Sequence, residues 1–302
     1  NTFMRNKSFT LIEILVVIVV VGILSAFILV GMSSITGSAK IAKANAFLDS
    51  MDSSLLLGRV SQWKLDETSG TSANDSWLSN IGTLINFADT SAGYGDTHGS
   101  GWMSSNNCIS GTCLKFDGVD DYIDCGTGSI SSLTDKKMTI SIWVKVYNVD
   151  SWQHLVHTGW AANGAYLLAL YNSGATLQMK NSVGTSYSAT YADIISINNW
   201  YNVVGLYNDS DKSLKVYVNG IKAATDGTAT GTMLTVSGTT FIATSELNGL
   251  IDDIRIYNQA MSNSEIENNY YTGINSLFKN NQIGLKEFNK RLIELKNNLA
   301  NK

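Results

Sequence analysis

The sequence predicts a mostly β protein: a long N-terminal α-helix, then an antiparallel β-sandwich of the jelly-roll type, then a C-terminal amphipathic helix. Three observations predict this fold class. Residues 14–39 carry no charge, short apolar runs alternate with Gly, Asn, Asp and Ser from residue 63 onward, and leucines near the C-terminus recur at helical spacing. We place a leader at 1–8, the N-terminal helix at 9–57, the sandwich at 61–271 and a helical tail at 272–302.

The N-terminal segment is predicted to cross a membrane. At 1.5 Å per residue, the apolar run 9–30 is long enough to span a hydrocarbon core of about 30 Å. Arg5 and Lys7 precede the run and would keep the N-terminus in the cytoplasm. Glu13 lies within the run, where an unpaired carboxylate is costly and favours association with a subunit that offers a cation.

The residues from Lys7 to Glu13, followed by an unbroken apolar stretch, resemble the cleavage and methylation segment of type IV pilins and pseudopilins. The resemblance implies that a prepilin peptidase cuts between Ser8 and Phe9, that the new N-terminus is methylated, and that Glu13 pairs with the amine of a neighbouring pilin subunit during assembly. The family normally has Gly where this chain has Ser8, which affects the expected efficiency of cleavage. A plain signal anchor, or a secretory signal cut near residues 37–39, are the alternatives.

The helix is expected to continue beyond the membrane as far as residue 57. Apolar residues recur there at spacings of three and four and form one stripe, with charged residues off it. The stripe consists of Ile41, Ala44, Leu48, Met51 and Leu55. The resemblance to pilins implies that this second half of the long helix packs under the globular domain through the stripe; an amphipathic stalk with no specific partner is the alternative.

The central region is predicted to consist of short strands. Residues 138–144 alternate apolar with small polar side chains, as expected of a half-buried strand. Residues 201–207 and 214–218 flank a polar five-residue loop, and Asn219-Gly220 predicts a tight turn before residues 221–223. All seven tryptophans lie between Trp63 and Trp200, which marks this stretch as a folded domain.

Four ordered strings in this region resemble laminin-G-like domains, which are related to concanavalin A-like lectins and pentraxins. They are residues 63–84, residues 114–123, residues 199–220 and the segment 248–266 with its closing strand and short helix. The resemblance implies a two-sheet jelly roll that binds glycans or proteins, often with calcium. Trp102, Trp152 and Trp160 lie in loop-like or strand-edge contexts from which they could stack on sugars, and the sequence does not choose among them.

A calcium site is predicted from two aspartates. In the closing strand, strict alternation puts Asp252 on the same face as Ile254 and Ile256, and Asp253 on the opposite face beside Arg255. An inward carboxylate needs hydrogen-bond donors or a cation. Asp75, on a strand expected to neighbour the closing strand, could share one Ca²⁺ with Asp252; capping of Asp252 by backbone amides is the alternative.

Three cysteines lie close together, and an exported protein could oxidise one pair. We favour a disulfide between Cys108 and Cys113, which enclose a short flexible loop, with Cys125 free. Three unpaired thiols are the alternative.

Catalysis is not expected. Glycoside hydrolysis uses two carboxylates across the scissile bond, and the string Glu-x-Asp-x-Glu typical of this fold's hydrolases does not occur in the sequence. Asp117, Asp120 and Asp121 form an acidic cluster that is interpreted as turn chemistry. His154 and His157 are three residues apart, which on a regular strand places them on opposite faces.

The C-terminal tail has the pattern of an amphipathic helix. Its apolar stripe consists of Leu285, Phe288, Leu292, Leu295 and Leu299. A shorter helix is predicted at residues 274–279. The stripe could pack on the sandwich, on the N-terminal helix or on a neighbouring subunit, and we favour packing within the chain.

These observations together predict a pilin-like subunit of a type IV filament or pseudopilus. It would be inserted in the bacterial cytoplasmic membrane before assembly and then display a lectin-like domain at the surface for adhesion to glycan or protein. A purely structural filament subunit, whose sandwich has no ligand, is the alternative. The mild net charge of −4 gives no reason to expect nucleic acid as a partner.

Overall fold

The computed structural model describes residues 58–127, 137–159, 165–234, 238–244 and 246–300, with the side chains of residues 299 and 300 excepted. In chain order the strands are β1 (Arg59–Trp63), β2 (Ser72–Ala73), β3 (Gly82–Ile85), β4 (Gly101–Met103), β5 (Cys113–Asp117), β6 (Tyr122–Asp124), β7 (Lys137–Val146), β8 (Gln153–Thr158), β9 (Tyr166–Tyr171), β10 (Gly174–Lys180), β11 (Ser186–Tyr191), β12 (Trp200–Asn208), β13 (Ser213–Val218), β14 (Ile221–Lys222), β15 (Gly227–Thr228), β16 (Thr240–Ile242) and β17 (Asn248–Tyr257). Two helices follow, α1 (Asn263–Lys279) and α2 (Leu285–Ala300). The predictions for the N-terminal helix, including Ser8, Phe9 and Glu13, lie outside the described residues.

The strands form two antiparallel sheets. The nine-stranded sheet has the order β14-β13-β12-β7-β17-β5-β4, with β1 paired to β17 and β15 paired to β13. The eight-stranded sheet has the order β11-β10-β9-β8-β16-β6-β3-β2. The predicted mostly β sandwich is therefore confirmed for the described part of the chain.

The predicted central strands are found almost where the pattern places them. Residues 138–144 lie within β7, and the two runs around the polar loop are β12 and β13, which pair from Val203 with Val218 to Asn208 with Ser213. The turn to β14 has Asn219 at φ 53° and Gly220 at φ 76°. Two successive positive φ angles are what a type I′ turn requires, so the Asn-Gly dipeptide fits this position.

The main hydrophobic core lies between the sheets, where alternate strand residues face inward. Its largest fully buried side chains include Trp63, Trp102 and Phe116. A second cluster lies on the outer face of the nine-stranded sheet, where Trp143 packs with Tyr270 of α1 and Leu295 of α2. Among the described residues, the apolar side chains of both helices cluster with strands of this sheet, so neither helix covers the outer face of the eight-stranded sheet.

Helix α1 is longer than predicted. It begins with a capping box, in which the side chain of Ser262 accepts from the amide of Glu265 and the Glu265 side chain accepts in return. It continues to Lys279, so the predicted domain boundary between residues 271 and 272 falls inside this helix. The separate short helix predicted at 274–279 is its last part.

Helix α2 packs on the nine-stranded sheet within the chain. Phe288, Leu292 and Leu295 contact the second cluster, and the buried guanidinium of Arg291 donates to the carbonyl oxygen of Trp200 at 3.0 Å. Leu285 was predicted to share this apolar stripe but is 61% exposed, because it occupies the first position of the helix. Neither of the two described helices is long and apolar enough to cross a membrane.

Candidate functional site

A row of aromatic rings crosses the outer face of the eight-stranded sheet, and we call it the aromatic band. Neighbouring ring centroids are 5.8 Å (Tyr122 to Phe241), 5.5 Å (Phe241 to His157), 5.2 Å (His157 to His154), 6.5 Å (His154 to Trp152) and 4.5 Å (Trp152 to Tyr171) apart. The Trp152 and Tyr171 rings are stacked, and Tyr171 is 41% exposed. The rings therefore form a partly exposed aromatic surface that no described helix covers.

Strand pairing explains why four strands contribute to one row. Phe241 of β16 lies opposite His157 of β8, and their sequence neighbours Ile242 and Val156 point into the core. Tyr122 of β6 lies one residue before the core residue Ile123, so its ring emerges on the same outer face. Alternation on adjacent strands thus aligns these side chains.

A bulge in β8 brings the two histidines together. The pairing of β8 with β9 shifts between His154 and Val156, which leaves Leu155 as an extra residue. The histidine rings consequently lie on one face and approach the same hydroxyl: Thr244 Oγ1 is 3.3 Å from His154 Nδ1 and 2.5 Å from His157 Nε2. The prediction that they face opposite sides was wrong, because it assumed a regular strand.

Both histidines of the band are uncharged at neutral pH. Burial lowers the pKa of His157 to about 3, and the neighbouring His154 lowers it further. Burial also lowers the pKa of His154, although Glu246 acts in the opposite direction. A neutral imidazole carries one donor and one acceptor nitrogen, so each ring can exchange a hydrogen bond with the hydroxyl of Thr244.

The three tryptophans considered from the sequence as sugar-stacking residues lie in different environments. Trp152 belongs to the aromatic band. Trp102 is fully buried and its indole nitrogen donates to the carbonyl oxygen of Gly70 at 2.7 Å. Trp160 lies outside the described residues. Tyr122, Tyr171 and Phe241 were not singled out from the sequence. The signal for Tyr122 and Phe241 is that each is an aromatic residue at an outward position of a short strand, directly before a core residue.

Cys108 and Cys113 form a disulfide, and Cys125 is a buried free thiol. The disulfide loop is held on the nine-stranded side of the protein. The amides of Ile109 and Ser110 donate to Asp252 Oδ2 at 2.8 and 3.2 Å. The side chain of Asn280, just after α1, donates to the carbonyl oxygen of Ile109 at 2.9 Å.

Asp252 lies on the outer face of the nine-stranded sheet, not on the face of Ile254 and Ile256 as predicted. It pairs with Trp143 of the second cluster, whereas Ile254 and Ile256 belong to the main core. The reason is a second bulge: the pairing of β17 with β7 shifts between Asp252 and Arg255, and Asp253 adopts φ 44°. The bulge shifts the alternation by one residue.

Charged side chains of both signs surround Asp252, since Lys64 also lines the cavity beside it. Asp252 is fully buried and lines this cavity of about 210 Å³ together with Asp66, Asp253 and Arg255. Burial raises the pKa of Asp252 well above its usual range, and the charges of Asp253 and Asp66 add to this. Asp253 itself pairs with Arg255 at 2.6 Å.

Asp75 accepts hydrogen bonds that hold the loop between β2 and β3. Its Oδ1 accepts from the amides of Gln62 and Trp77, both at 2.9 Å, and its Oδ2 accepts from the amide and the side chain of Asn80. Although burial acts to raise its pKa, hydrogen bonds, chiefly those from the amides of Gln62 and Trp77, lower the pKa of Asp75 overall. Its oxygens are thus used by donors, and Asp75 is not among the residues that line the cavity at Asp252. A shared calcium site on these two residues stays a prediction.

Replacing Asp252 by asparagine is expected to flatten the pH dependence of stability. A carboxyl whose pKa is raised on folding stabilises the protein below its unfolded pKa of about 4, and this contribution is lost as the pH rises towards the folded pKa. Asparagine keeps an oxygen for the amides of the disulfide loop but never ionises. We expect the free energy of unfolding at pH 7.5 to rise by about 1–3 kcal/mol.

Urea unfolding of the wild type, Asp252→Asn and Asp150→Asn at pH 4.5 and 7.5 tests this expectation. Asp150 is exposed, so its variant serves as the control. An Asp252→Asn protein that loses as much stability as the wild type between the two pH values would contradict it.

Comparison with known proteins finds family matches for two parts of the chain. Residues 117–267, half of the chain, match the concanavalin A-like lectin/glucanases superfamily, and residues 3–29 match the prokaryotic N-terminal methylation motif. A search of curated protein sequences finds no match.

Similar solved structures share the fold. The botulinum neurotoxin serotype D binding domain aligns with a TM-score of 0.54 at 14% identity, over 72% of this chain and 52% of that one. The binding domain of Paraclostridial Mosquitocidal Protein 1 gives a TM-score of 0.53 at 16% identity, over 72% and 53%. A Trypanosoma rangeli sialidase in complex with sialic acid gives 0.50 at 15% identity, over 70% and 32%. This chain thus spans about half or less of each, and at these identities the likeness concerns the fold alone.

Proposed function

The chain belongs to the concanavalin A-like lectin/glucanases superfamily, and on this premise we propose that it is a pilin-like subunit that displays a glycan-binding domain at the bacterial surface. The observation that carries the proposal is the aromatic band. Five of the six rings are at least partly exposed, on a sheet face that no described helix covers, and sugar rings present apolar C–H faces that stack on such aromatic surfaces.

The polar groups of the band favour a neutral ligand. The uncharged imidazole of His154, which is partly exposed, can hydrogen-bond to sugar hydroxyls without requiring a charged group on the glycan. The six side chains of the band contain no carboxylic acid, whereas glycoside hydrolysis ordinarily uses two. These features support binding rather than turnover at this surface.

The N-terminal methylation motif supports the pilin-like part of the proposal. It implies a precursor that is anchored in the cytoplasmic membrane. We propose in addition that the mature chain assembles with other subunits through its N-terminal helix, and that Glu13 aids the register of this assembly. The disulfide between Cys108 and Cys113 agrees with a domain outside the cytoplasm, because disulfides persist in oxidising compartments.

Truncation of the exposed stacked pair is expected to weaken glycan binding. Trp152→Ala and Tyr171→Ala each remove one ring of the band, and each should raise the Kd by about tenfold, which corresponds to the loss of ~1.4 kcal/mol of stacking. The test is binding of the full-length chain in detergent to a broad glycan panel, followed by titration with the best ligand. Trp77→Ala is the matched control, since Trp77 is 38% exposed and lies outside the band.

The outcomes separate the alternatives. Saturable binding that falls in the two band variants and persists in Trp77→Ala supports the proposal, provided that the melting temperatures of the variants are unchanged. A folded wild type that binds nothing on the panel would favour a purely structural subunit. Release of free sugar from a bound glycan would contradict the expectation that the chain is not catalytic.

A further inference from the structure

The segments that carry the aromatic band contain no lysine or arginine. Residues 117–127, 150–176 and 238–251 supply every ring of the band and contain six acidic residues, in a chain that has 21 lysines and arginines in all. Within the strands of the eight-stranded sheet, the single basic residue of this kind is Lys180, at the last position of β10, a strand that contributes no ring. The polar groups of the band itself are neutral, but the chain around it is acidic.

Asp124 lies on the same outer face as the rings. This residue of β6 pairs with Phe241 of β16. Strand alternation puts it on the face of Tyr122, two residues earlier, because the intervening Ile123 belongs to the main core. The side chain of Asp124 is partly exposed. A carboxylate thus lies beside two rings of the band.

Glu246 provides a second carboxylate, next to the histidines. Its charge acts to raise the pKa of His154, against the effect of burial, which requires the carboxylate to lie near this ring. Glu246 is exposed. In the described part of the chain, neither Glu246 nor Asp124 forms an ion pair. No basic side chain of this part therefore neutralises the two carboxylates before a ligand arrives.

The exposed ring pair of the band favours the same sign of charge on a ligand. The faces of aromatic rings carry negative electrostatic potential and attract cations that lie within about 6 Å of the ring centroid. Trp152 and Tyr171 stack with their centroids 4.5 Å apart, and Tyr171 is 41% exposed. The carboxylates and the ring faces are separate features that act in the same direction.

We infer that the aromatic band selects glycans that carry free amino groups, such as oligomers of glucosamine, and excludes anionic glycans. The protonated amino group of such a sugar is attracted by Asp124, by Glu246 and by the ring faces, while the C–H faces of the sugar stack on the rings. A glycan with carboxylate groups is repelled by the same side chains. This inference rests on the proposed glycan binding and narrows the class of ligand.

The experiment is calorimetric titration of the full-length chain, in a non-ionic detergent at pH 6.5, with three tetrasaccharides. They consist of glucosamine, N-acetylglucosamine and galacturonic acid. In about 10 mM salt, where the Debye length is about 30 Å, we expect the glucosamine oligomer to bind about tenfold more tightly than the acetylated one, and the galacturonic acid oligomer to bind at least about tenfold more weakly. In about 1 M salt, where the Debye length is about 3 Å, these differences should disappear.

Two substitutions test the residues to which the preference is assigned. Asp124→Asn and Glu246→Gln each remove one charge at nearly constant size, and each should reduce the ratio of the Kd values for the acetylated and the free amino oligomer about threefold in low salt. Asp211→Asn is the matched control, because Asp211 is an exposed aspartate in the turn between β12 and β13 of the other sheet. Its variant should keep the ratio of the wild type. Each ratio is measured on one protein, so a small difference in stability between variants does not affect it.

The outcomes separate this inference from the proposed function. Binding of the acetylated oligomer without a preference for the glucosamine oligomer would overturn the inference and leave glycan binding intact. So would a preference that survives in 1 M salt or that both variants retain in full. A folded wild type that binds none of the three oligomers would overturn the inference as well, and the broad glycan panel then decides on glycan binding itself.

Discussion

Replacing Gly273 by alanine is expected to lower the free energy of unfolding by about 3 kcal/mol, the upper end of the cost of overfilling a packed core. A Cβ atom at this position of α1 would lie 2.1 Å from the ring of Trp143, which is 1% exposed. Neither the ring nor the helix can move freely, because Trp143 also stacks on Tyr270 of the same helix at 5.7 Å between centroids. The gain of about 1 kcal/mol in helix propensity does not offset this overlap.

Thr272→Ala is the control, since Thr272 precedes Gly273 on the same helix and is exposed. Chemical denaturation should show the control close to the wild type and Gly273→Ala with a clearly lower midpoint. Equal midpoints would mean that α1 does not approach Trp143 as closely as described.

Loss of the disulfide is expected to lower the free energy of unfolding by at least about 2 kcal/mol, the chain-entropy value for so short a loop. The loop also makes contacts that would loosen: the indole nitrogen of Trp200 donates to the carbonyl oxygen of Asn107 at 3.0 Å, and two loop amides bind Asp252. An Asp252 without these amides is a buried carboxylate without donors, which adds to the loss.

The measurement is the melting temperature of the wild type, the double variant Cys108→Ser/Cys113→Ser and Cys125→Ala, each with and without a reductant. The wild type and Cys125→Ala should both lose stability on reduction, whereas the double variant should already be destabilised and unresponsive. A wild type that is indifferent to a reductant which demonstrably opens the disulfide would contradict the expectation.

Local patterns predicted the regular parts of the fold. The strands β7, β12 and β13 follow from alternation, and the turn at Asn219 and Gly220 follows from the φ angles that only a few residues tolerate. Helix α1 was predicted only in pieces, since Gly273 resembles a helix end in sequence. Its role depends on Trp143, which is 130 residues away in the chain and invisible to local pattern.

The aromatic band and the position of Asp252 were less predictable, because each depends on a β-bulge. A bulge is set by how a strand pairs with its neighbours, and strict alternation cannot show it. Assuming a regular strand put Asp252 on the wrong face and separated His154 from His157.

Because of the bulge at Leu155, the face on which each histidine of β8 lies depends on how many residues separate them, and not only on which residues are present. An insertion of one residue between His154 and His157 would leave every side chain of the aromatic band in the sequence, yet a strand that kept the bulge would then turn one histidine away from the other, whereas deletion of Leu155 would leave both on one face without a bulge. Divergence by single-residue insertion and deletion is thus a route by which relatives with the same core could gain or lose such a surface. Comparisons among them should therefore count residues between strand partners as carefully as they match residue identities.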